Sequence, residues 1–170
     1  MTTNKSLRVL VGICVISACV LGSGMQARAE TLHYKFYTWS IKGERVPVGD
    51  VEGHTLGISV RGAFFVLDNG EVATVNTVLT NDYVNGVGPF MQYSTIKFPD
   101  GSTIMYKSQG TMGAGAASGA FTSEIIKGTG RFEGIKGTQS AKAKYLPVEP
   151  GEAYPKGYGE GTITYTLPSK

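Results

Sequence analysis

Cysteine is scarce in this sequence. The chain of 170 residues has only two cysteines, Cys14 and Cys19, and both lie close to its first residue. The rest of the chain therefore has no disulfide available and must be held together by side-chain burial and strand pairing. The length beyond residue 29 suits one domain with a substantial core.

The first 29 residues have the pattern of a secretory signal peptide. Lys5 and Arg8 precede an apolar run at residues 9–21, and Ala27-Arg28-Ala29 supplies a small-x-small cleavage pattern. The apolar run is too short to span a bilayer as a stable helix. We therefore expect cleavage after Ala29, a secreted or periplasmic protein, no membrane span, and a single mature domain at residues 30–170.

A lipoprotein signal is the alternative for the same segment. Residues 16–19, Ile-Ser-Ala-Cys, fit a loose cleavage box that would leave a lipid anchor on Cys19. The ordinary signal is favoured, because the apolar run continues past this cysteine and residues 27–29 lie where an ordinary signal ends. The intact mass of the exported protein would distinguish the two.

Excess charge of either sign is also lacking once the leader is removed. The full chain has 16 basic and 13 acidic residues. Cleavage after Ala29 removes Lys5, Arg8 and Arg28 and no acidic residue, so the mature chain is formally neutral. A neutral chain lacks the electrostatic footprint of a nucleic-acid-binding protein, and we expect no such partner.

Residues that carry familiar chemistry are few. The two histidines, His33 and His54, lie on different predicted strands, and the mature chain has no cysteine. We therefore expect no metal and no cofactor. The chain also lacks a Gly-x-Ser-x-Gly nucleophile elbow. The glycine-rich residues 112–119 are interpreted as a loop, because no helix follows to make a phosphate cradle.

Helical periodicity is missing, and short alternating runs replace it. In the first run Leu32, Tyr34 and Phe36 share one face. Asp68-Asn69-Gly70 and Pro99-Asp100-Gly101 are typical of hairpin turns. The predicted strands are at residues 31–39, 54–60, 63–67, 71–79, 90–98, 102–111, 121–127, 135–145 and 162–167. Long loops are predicted at 41–53 and 81–89.

These runs predict an all-β domain of about eight strands with little helix. A single antiparallel barrel is favoured over a sandwich, because closure removes exposed strand edges. Glycines inside predicted strands, such as Gly57, Gly62 and Gly137, permit the bends that a small closed sheet needs. Gly62 is interpreted as a bulge.

Residues 125–137 predict a strand, a tight turn and a second strand. Two strand-like runs are joined there through Gly128, Gly130, Gly134 and Gly137. Glycine adopts positive φ at little cost, so the backbone can reverse direction. Phe132 and Ile135 have the size to plug the end of a hydrophobic core. A turn with its own plug suits a closed sheet.

The same segment carries a family resemblance. Gly-Thr-Gly-Arg-Phe-Glu-Gly-Ile-Lys-Gly at residues 128–137 resembles the Gly-x-Gly-x-Phe-x-x-x-x-Gly segment of the allene oxide cyclase and dirigent superfamily. Residues 32–36, Leu-His-Tyr-Lys-Phe, look like the first strand of dirigent proteins. The resemblance implies an eight-stranded calycin-type barrel with a cavity, often a homo-trimer. Its relatives bind hydrophobic or phenolic small molecules and steer the stereochemistry of cyclisation or coupling.

The chain departs from the family at positions that matter for chemistry. Dirigent proteins follow the first strand with a His-Asp pair, where this chain has Tyr37-Thr38. Their structural disulfide cannot form here, and the Glu-x-Asn pattern of the cyclase first strand is absent. No catalytic residue is therefore carried over.

Candidate ligand-binding residues lie on strand faces that mix polar and apolar side chains. They are Asn76, Tyr93, Tyr106 and Glu124. A carboxylate held among apolar residues has a raised pKa, so Glu124 is also a weak candidate for a general acid or base. A shift of one residue in register turns each of them outward, and the sequence leaves that register open.

Three functions remain in view. The first is an exported barrel that binds a small hydrophobic or phenolic molecule in its lumen, with no assigned reaction. The second is a stereocontrolling cyclase or isomerase, or a dirigent-type coupling protein, which would use shape and one acid or base. The third is a structural or oligomeric interaction protein.

Overall fold

The computed structural model describes residues 29–113, 118–150, 152 and 154–169, and the signal-peptide and Cys19 predictions lie outside this part except at Ala29. The chain forms eight antiparallel strands in one closed barrel, and the neighbour order follows the sequence. The strands are β1 (Glu30–Pro47), β2 (His54–Leu67), β3 (Val72–Val84), β4 (Gly88–Lys97), β5 (Thr103–Met112), β6 (Ser118–Thr129), β7 (Lys136–Tyr145) and β8 (Gly157–Thr166).

Strands β1 and β8 close the barrel by pairing with each other. They pair antiparallel from Glu30 opposite Tyr165 to Thr38 opposite Gly157. Alternate side chains point inward, as the burial of Ala73 and Val75 and the exposure of Val72 on β3 illustrate. The predicted all-β, eight-stranded antiparallel barrel is confirmed.

The first strand is longer than predicted. Residues 41–47, expected to lie in a loop, continue β1 as far as Pro47, with a register shift between Ser40 and Lys42. The bulge is therefore in β1, and the prediction of a bulge at Gly62 is wrong. Gly62 instead makes room for Trp39, since a Cβ at Gly62 would lie 2.7 Å from an indole carbon.

The predicted loop at residues 81–89 is also wrong. β3 continues to Val84, and a two-residue turn at Asn85 and Gly86 leads to β4. Both turn residues have positive φ, 53° and 79°, and Val84 and Val87 exchange two backbone hydrogen bonds across it. This is the geometry that suits the twist of a tight hairpin. The hairpins at residues 68–70 and 99–101 are confirmed, each with positive φ at its glycine.

One end of the barrel is closed by the segment after β6. Gly130–Phe132 forms a short 3-10 turn in which Gly130 has a φ of 61°, and Phe132 and Ile135 are buried in the main core cluster. The ring of Phe132 packs 4.8 Å from Phe98 and 5.8 Å from Tyr165. The predicted plug is confirmed, so any internal space must open toward the other end.

Candidate functional site

A cavity of about 250 Å³ occupies the barrel above this closed end. Its wall is mainly aromatic and aliphatic, and it extends to the opposite rim, where Arg45, Gly86 and Pro155 lie. Space of this size is just below the range of about 300–1,000 Å³ typical of pockets for drug-sized ligands. The aromatic side chains that line it are Tyr34, Phe36, Phe65, Tyr83, Phe90, Tyr106, Phe121, Tyr145 and Tyr154.

A chain of hydrogen-bonded polar side chains runs around the inner wall of the barrel, and three of its members line the cavity. Gln92 Nε2 donates to Ser108 Oγ over 3.3 Å, and Ser108 Oγ bonds Ser123 Oγ over 2.6 Å. Ser123 Oγ donates to Gln139 Oε1 over 2.6 Å, and Gln139 Nε2 donates to the Tyr34 hydroxyl. The chain links β4 to β1, and we name these five residues the polar floor.

The direction of these hydrogen bonds defines what Tyr34 can offer. Since Ser123 donates to Gln139, its oxygen accepts from Ser108, and every link then donates toward Tyr34. The Tyr34 oxygen accepts from Gln139, so its own hydrogen serves as a donor. Burial raises the pKa of Tyr34 strongly, with Tyr106 adding to the effect and the Gln139 hydrogen bond opposing it. The hydroxyl is therefore neutral at physiological pH.

Tyr106 is a second buried hydroxyl on the cavity wall. Its side chain is 5 % exposed, and burial raises its pKa to about 12, although the hydrogen bond with Ser94 opposes the shift. Ser94 Oγ in turn bonds Thr77 Oγ1 over 2.8 Å. Tyr34 and Tyr106 are thus neutral hydrogen-bonding groups in a wall that is mainly aromatic and aliphatic.

The rim of the cavity carries positive charge. Arg61 lies on the inward face of β2, and its Nη2 donates to the Pro155 carbonyl oxygen over 2.8 Å. Burial lowers the pKa of Arg61, and the neighbouring Tyr145, Tyr154 and Tyr83 oppose the shift. Arg45 lies at the same rim, with its guanidinium 4.4 Å from the centre of the Tyr154 ring.

Only one of the four predicted ligand-binding residues lines this cavity. That residue is Tyr106, whereas Asn76, Tyr93 and Glu124 are exposed on the outer face. The structure therefore corrects the prediction that Asn76, Tyr93 and Glu124 lie in the lumen. The prediction for Asn76 was wrong because β3 carries Val72 and Val78 on its outer face beside Asn76. The two faces of this strand therefore look equally apolar in the sequence.

Glu124 faces outward together with Thr122, and Ser123 and Ile125 on either side of it are buried. The strand pairs with β7 at this point, where Glu124 lies opposite Thr138. Its position outside the barrel removes the apolar surroundings on which its candidacy as a general acid or base rested. The structure gives it no contact with the cavity.

The site residues predicted from the sequence include neither Arg61 nor any member of the polar floor. Tyr34 had a usable signal, because it shares its strand face with Leu32 and Phe36. Gln92, Gln139 and the serines had none, since a polar residue in a strand normally faces water. Arg61 lies just after the predicted strand at residues 54–60, and only the register of β2 reveals that it points inward.

Other kinds of site find no support in the part of the chain that the structure describes. No group of three histidine, cysteine or carboxylate side chains there is arranged to hold a metal ion. None of the described helices has the length and apolar character needed to cross a membrane.

Comparison with known proteins gives matches in structure only. No protein-family model matches the chain, and no curated protein matches it in sequence. The pterocarpan synthase dirigent protein GePTS1 superposes with a TM-score of 0.56 at 16 % identity, covering 99 % of this chain and 100 % of that one. The pterocarpan synthase dirigent protein PsPTS1 superposes with a TM-score of 0.53 at 17 % identity, covering 85 % and 99 %.

A likeness at this identity concerns the backbone and not the chemistry. It covers nearly the whole chain in the first case and includes all eight strands of the barrel. The family resemblance noted in residues 128–137 is therefore matched by the architecture. The chain has the barrel fold of the allene oxide cyclase and dirigent-like proteins.

Proposed function

We propose that this chain is an exported binding protein that holds one small hydrophobic or phenolic molecule inside its barrel. The observation that carries the proposal is the cavity of about 250 Å³, with an aromatic wall and two neutral tyrosine hydroxyls. Export through a cleavable signal at residues 1–29 is part of the same proposal. Both lipid-free and Cys19-anchored forms are compatible with binding, and an intact mass distinguishes them.

The wall and the hydroxyls have separate roles. Transferring a ring of phenylalanine size from water into an apolar site contributes about 1.5–3 kcal/mol of favourable free energy to binding. Tyr34 and Tyr106 then orient the molecule by hydrogen bonds, since a buried polar group of the ligand needs a partner. A phenol or a carbonyl compound supplies such a group.

A cavity-filling substitution tests binding directly. Ala141 on β7 lines the cavity, whereas Ala120 on the neighbouring β6 is exposed on the outer face. The neutral fluorophore N-phenyl-1-naphthylamine should bind the wild type and Ala120→Trp alike and bind Ala141→Trp at least about tenfold more weakly. Equal binding to both variants would place the probe outside the barrel and refute the proposal.

A stereocontrolling cyclase, isomerase or dirigent-type coupling protein is the second candidate. The observation that favours it is the pair of buried, neutral tyrosine hydroxyls, which could hold a reactive phenol in one orientation or donate a hydrogen bond to it. Phenol coupling by an added one-electron oxidant should then give an enantiomeric excess that Tyr106→Phe abolishes. A racemic product with the wild-type protein would eliminate this candidate.

We further propose that the barrel assembles into a homo-trimer through an outer apolar surface. This surface consists of the exposed residues Phe64, Val66, Val72, Val78, Met91 and Tyr93 on β2–β4. Val78 lies opposite both Val60 and Tyr93 across the sheet, so the surface is continuous. Exposed apolar areas of this kind commonly mark protein interfaces.

Light scattering should give three chains per particle for the wild type and one for Val78→Glu. Thr162→Glu on the outer face of β8, which is away from β2–β4 in the barrel order, should leave the trimer intact. A monomeric wild type at micromolar concentration would contradict the assembly without affecting the proposal on ligand binding.

A further inference from the structure

Arg61 is an inward-pointing cation at the rim, and the structure gives it no acidic partner among the described residues. Its one recorded hydrogen bond is to the Pro155 carbonyl oxygen. The carboxylates of the neighbouring segment, Glu149 and Glu152, pair instead with Lys156, over 3.1 and 3.0 Å. A guanidinium that loses water without gaining a carboxylate pays a desolvation cost, which an incoming anion would relieve.

The surroundings of Arg61 are arranged to accept such an anion. A guanidinium presents five N–H donors, of which the Pro155 carbonyl uses one. Tyr83, Tyr145 and Tyr154 are neighbours of Arg61, and all three line the same cavity. Arg45, which also lines the cavity, brings a second positive charge to this rim.

We infer that the ligand is an organic acid, whose carboxylate or other anionic group binds Arg61 at the rim while its apolar body lies against the aromatic wall below. The inference rests on the proposed function and deepens it. It makes Arg61 the residue that determines specificity for acids over neutral analogues. Arg45 contributes long-range attraction, because it is exposed and stacked on Tyr154.

A purely structural role for Arg61 makes a different prediction. If its only task were to fix the Pro155 segment through the 2.8 Å hydrogen bond, replacing it would change the affinity for acidic and neutral ligands alike. A role in anion recognition changes the affinity for acids alone. Comparing two probes that differ only in one acidic group separates these possibilities.

The probes are 1-anilinonaphthalene-8-sulfonate and N-phenyl-1-naphthylamine, which share their ring system and differ in the sulfonate. The wild type should bind the sulfonate about tenfold to a hundredfold more tightly than the neutral probe, as expected for charge-assisted hydrogen bonds at a partly buried site. Arg61→Gln should remove this preference and leave the affinity for the neutral probe within about twofold. Arg61→Lys should keep part of the preference, since it retains the charge without the planar fork.

Lys97→Gln is the matched control, because it removes an exposed positive charge from β4 and does not line the cavity. It should leave both affinities unchanged. An unchanged preference for the sulfonate in Arg61→Gln, or no preference in the wild type, would overturn the inference while the proposed function stands. Failure of the neutral probe to bind the wild type would overturn both. The neutral probe also reports that each variant is folded.

Discussion

The Tyr34 hydroxyl offers a sharp test of the polar floor. Tyr34→Phe keeps the aromatic ring, which stacks on Phe65 at 4.0 Å, and removes only the oxygen that accepts from Gln139. The amide of Gln139, a residue only 4 % exposed, is then left without this partner. An unsatisfied buried donor costs about 1–3 kcal/mol of stability. For a domain of this size that corresponds to a decrease in Tm of about 4–12 °C.

The measurement is urea unfolding followed by the fluorescence of Trp39, the single tryptophan of the chain. Tyr37→Phe is the matched control, because Tyr37 lies on the same strand and is 42 % exposed. It should change the free energy of unfolding by less than about 0.5 kcal/mol. Equal changes for the two variants would show that the Tyr34 hydrogen bond makes no net contribution.

A double-mutant cycle locates the effect in the polar floor. Gln139→Leu removes the donor that Tyr34→Phe leaves unpaired, so the double variant should be more stable than the sum of the single effects predicts, by about 0.5–3 kcal/mol. Strictly additive effects would mean that the two residues do not interact. In that case the directional chain from Gln92 to Tyr34 would be wrong.

Three further predictions concern the two ends of the barrel. Phe132→Ala should cost about 3–5 kcal/mol in urea unfolding, because it removes the plug, whereas Glu133→Ala beside it should cost less than about 0.5 kcal/mol. Gly130→Ala should cost at least about 1–2 kcal/mol in the same assay, since its φ of 61° is unfavourable for alanine. His54 Nε2 donates to Asp82 Oδ1 over 2.7 Å and Nδ1 donates to Asp50 Oδ1 over 2.5 Å, and these two hydrogen bonds raise the pKa of His54 from its ordinary value of 6.5. The stability that these hydrogen bonds contribute should therefore be complete below pH 6.5 and should disappear as the pH rises through the pKa of His54 in the folded protein. An NMR titration of the imidazole measures this folded-state pKa. A folded-state pKa at or below 6.5 would contradict the geometry.

The barrel was predictable because its signals are local. Alternation along β1, the turns at residues 68–70 and 99–101, and the plug residues Phe132 and Ile135 each act within a few residues. The turn at Asn85 and Gly86 had the same Asn-Gly signal as residues 69–70. It was missed because the flanking residues 82–84 and 87–89 lack a clear alternation.

The site was less predictable because it depends on register across strands. Arg61 becomes significant only because β2 places it inward, and Gln139 only because it meets Tyr34 from a distant part of the chain. Asn76 and Glu124 show the opposite error, because they were predicted to face the lumen and lie on the outer face. Each sits on a face that looks mixed in sequence and is exposed in the barrel. A single sequence contains no information on which of two mixed faces closes inward.

Isothermal titration calorimetry with N-phenyl-1-naphthylamine, at several temperatures, tests the central claim that the barrel holds a small apolar molecule. One site per chain should be found, with a negative heat-capacity change that reports burial of apolar surface and is lost in Ala141→Trp. Absence of saturable binding to the wild type, or an unchanged heat-capacity change in Ala141→Trp, would contradict it.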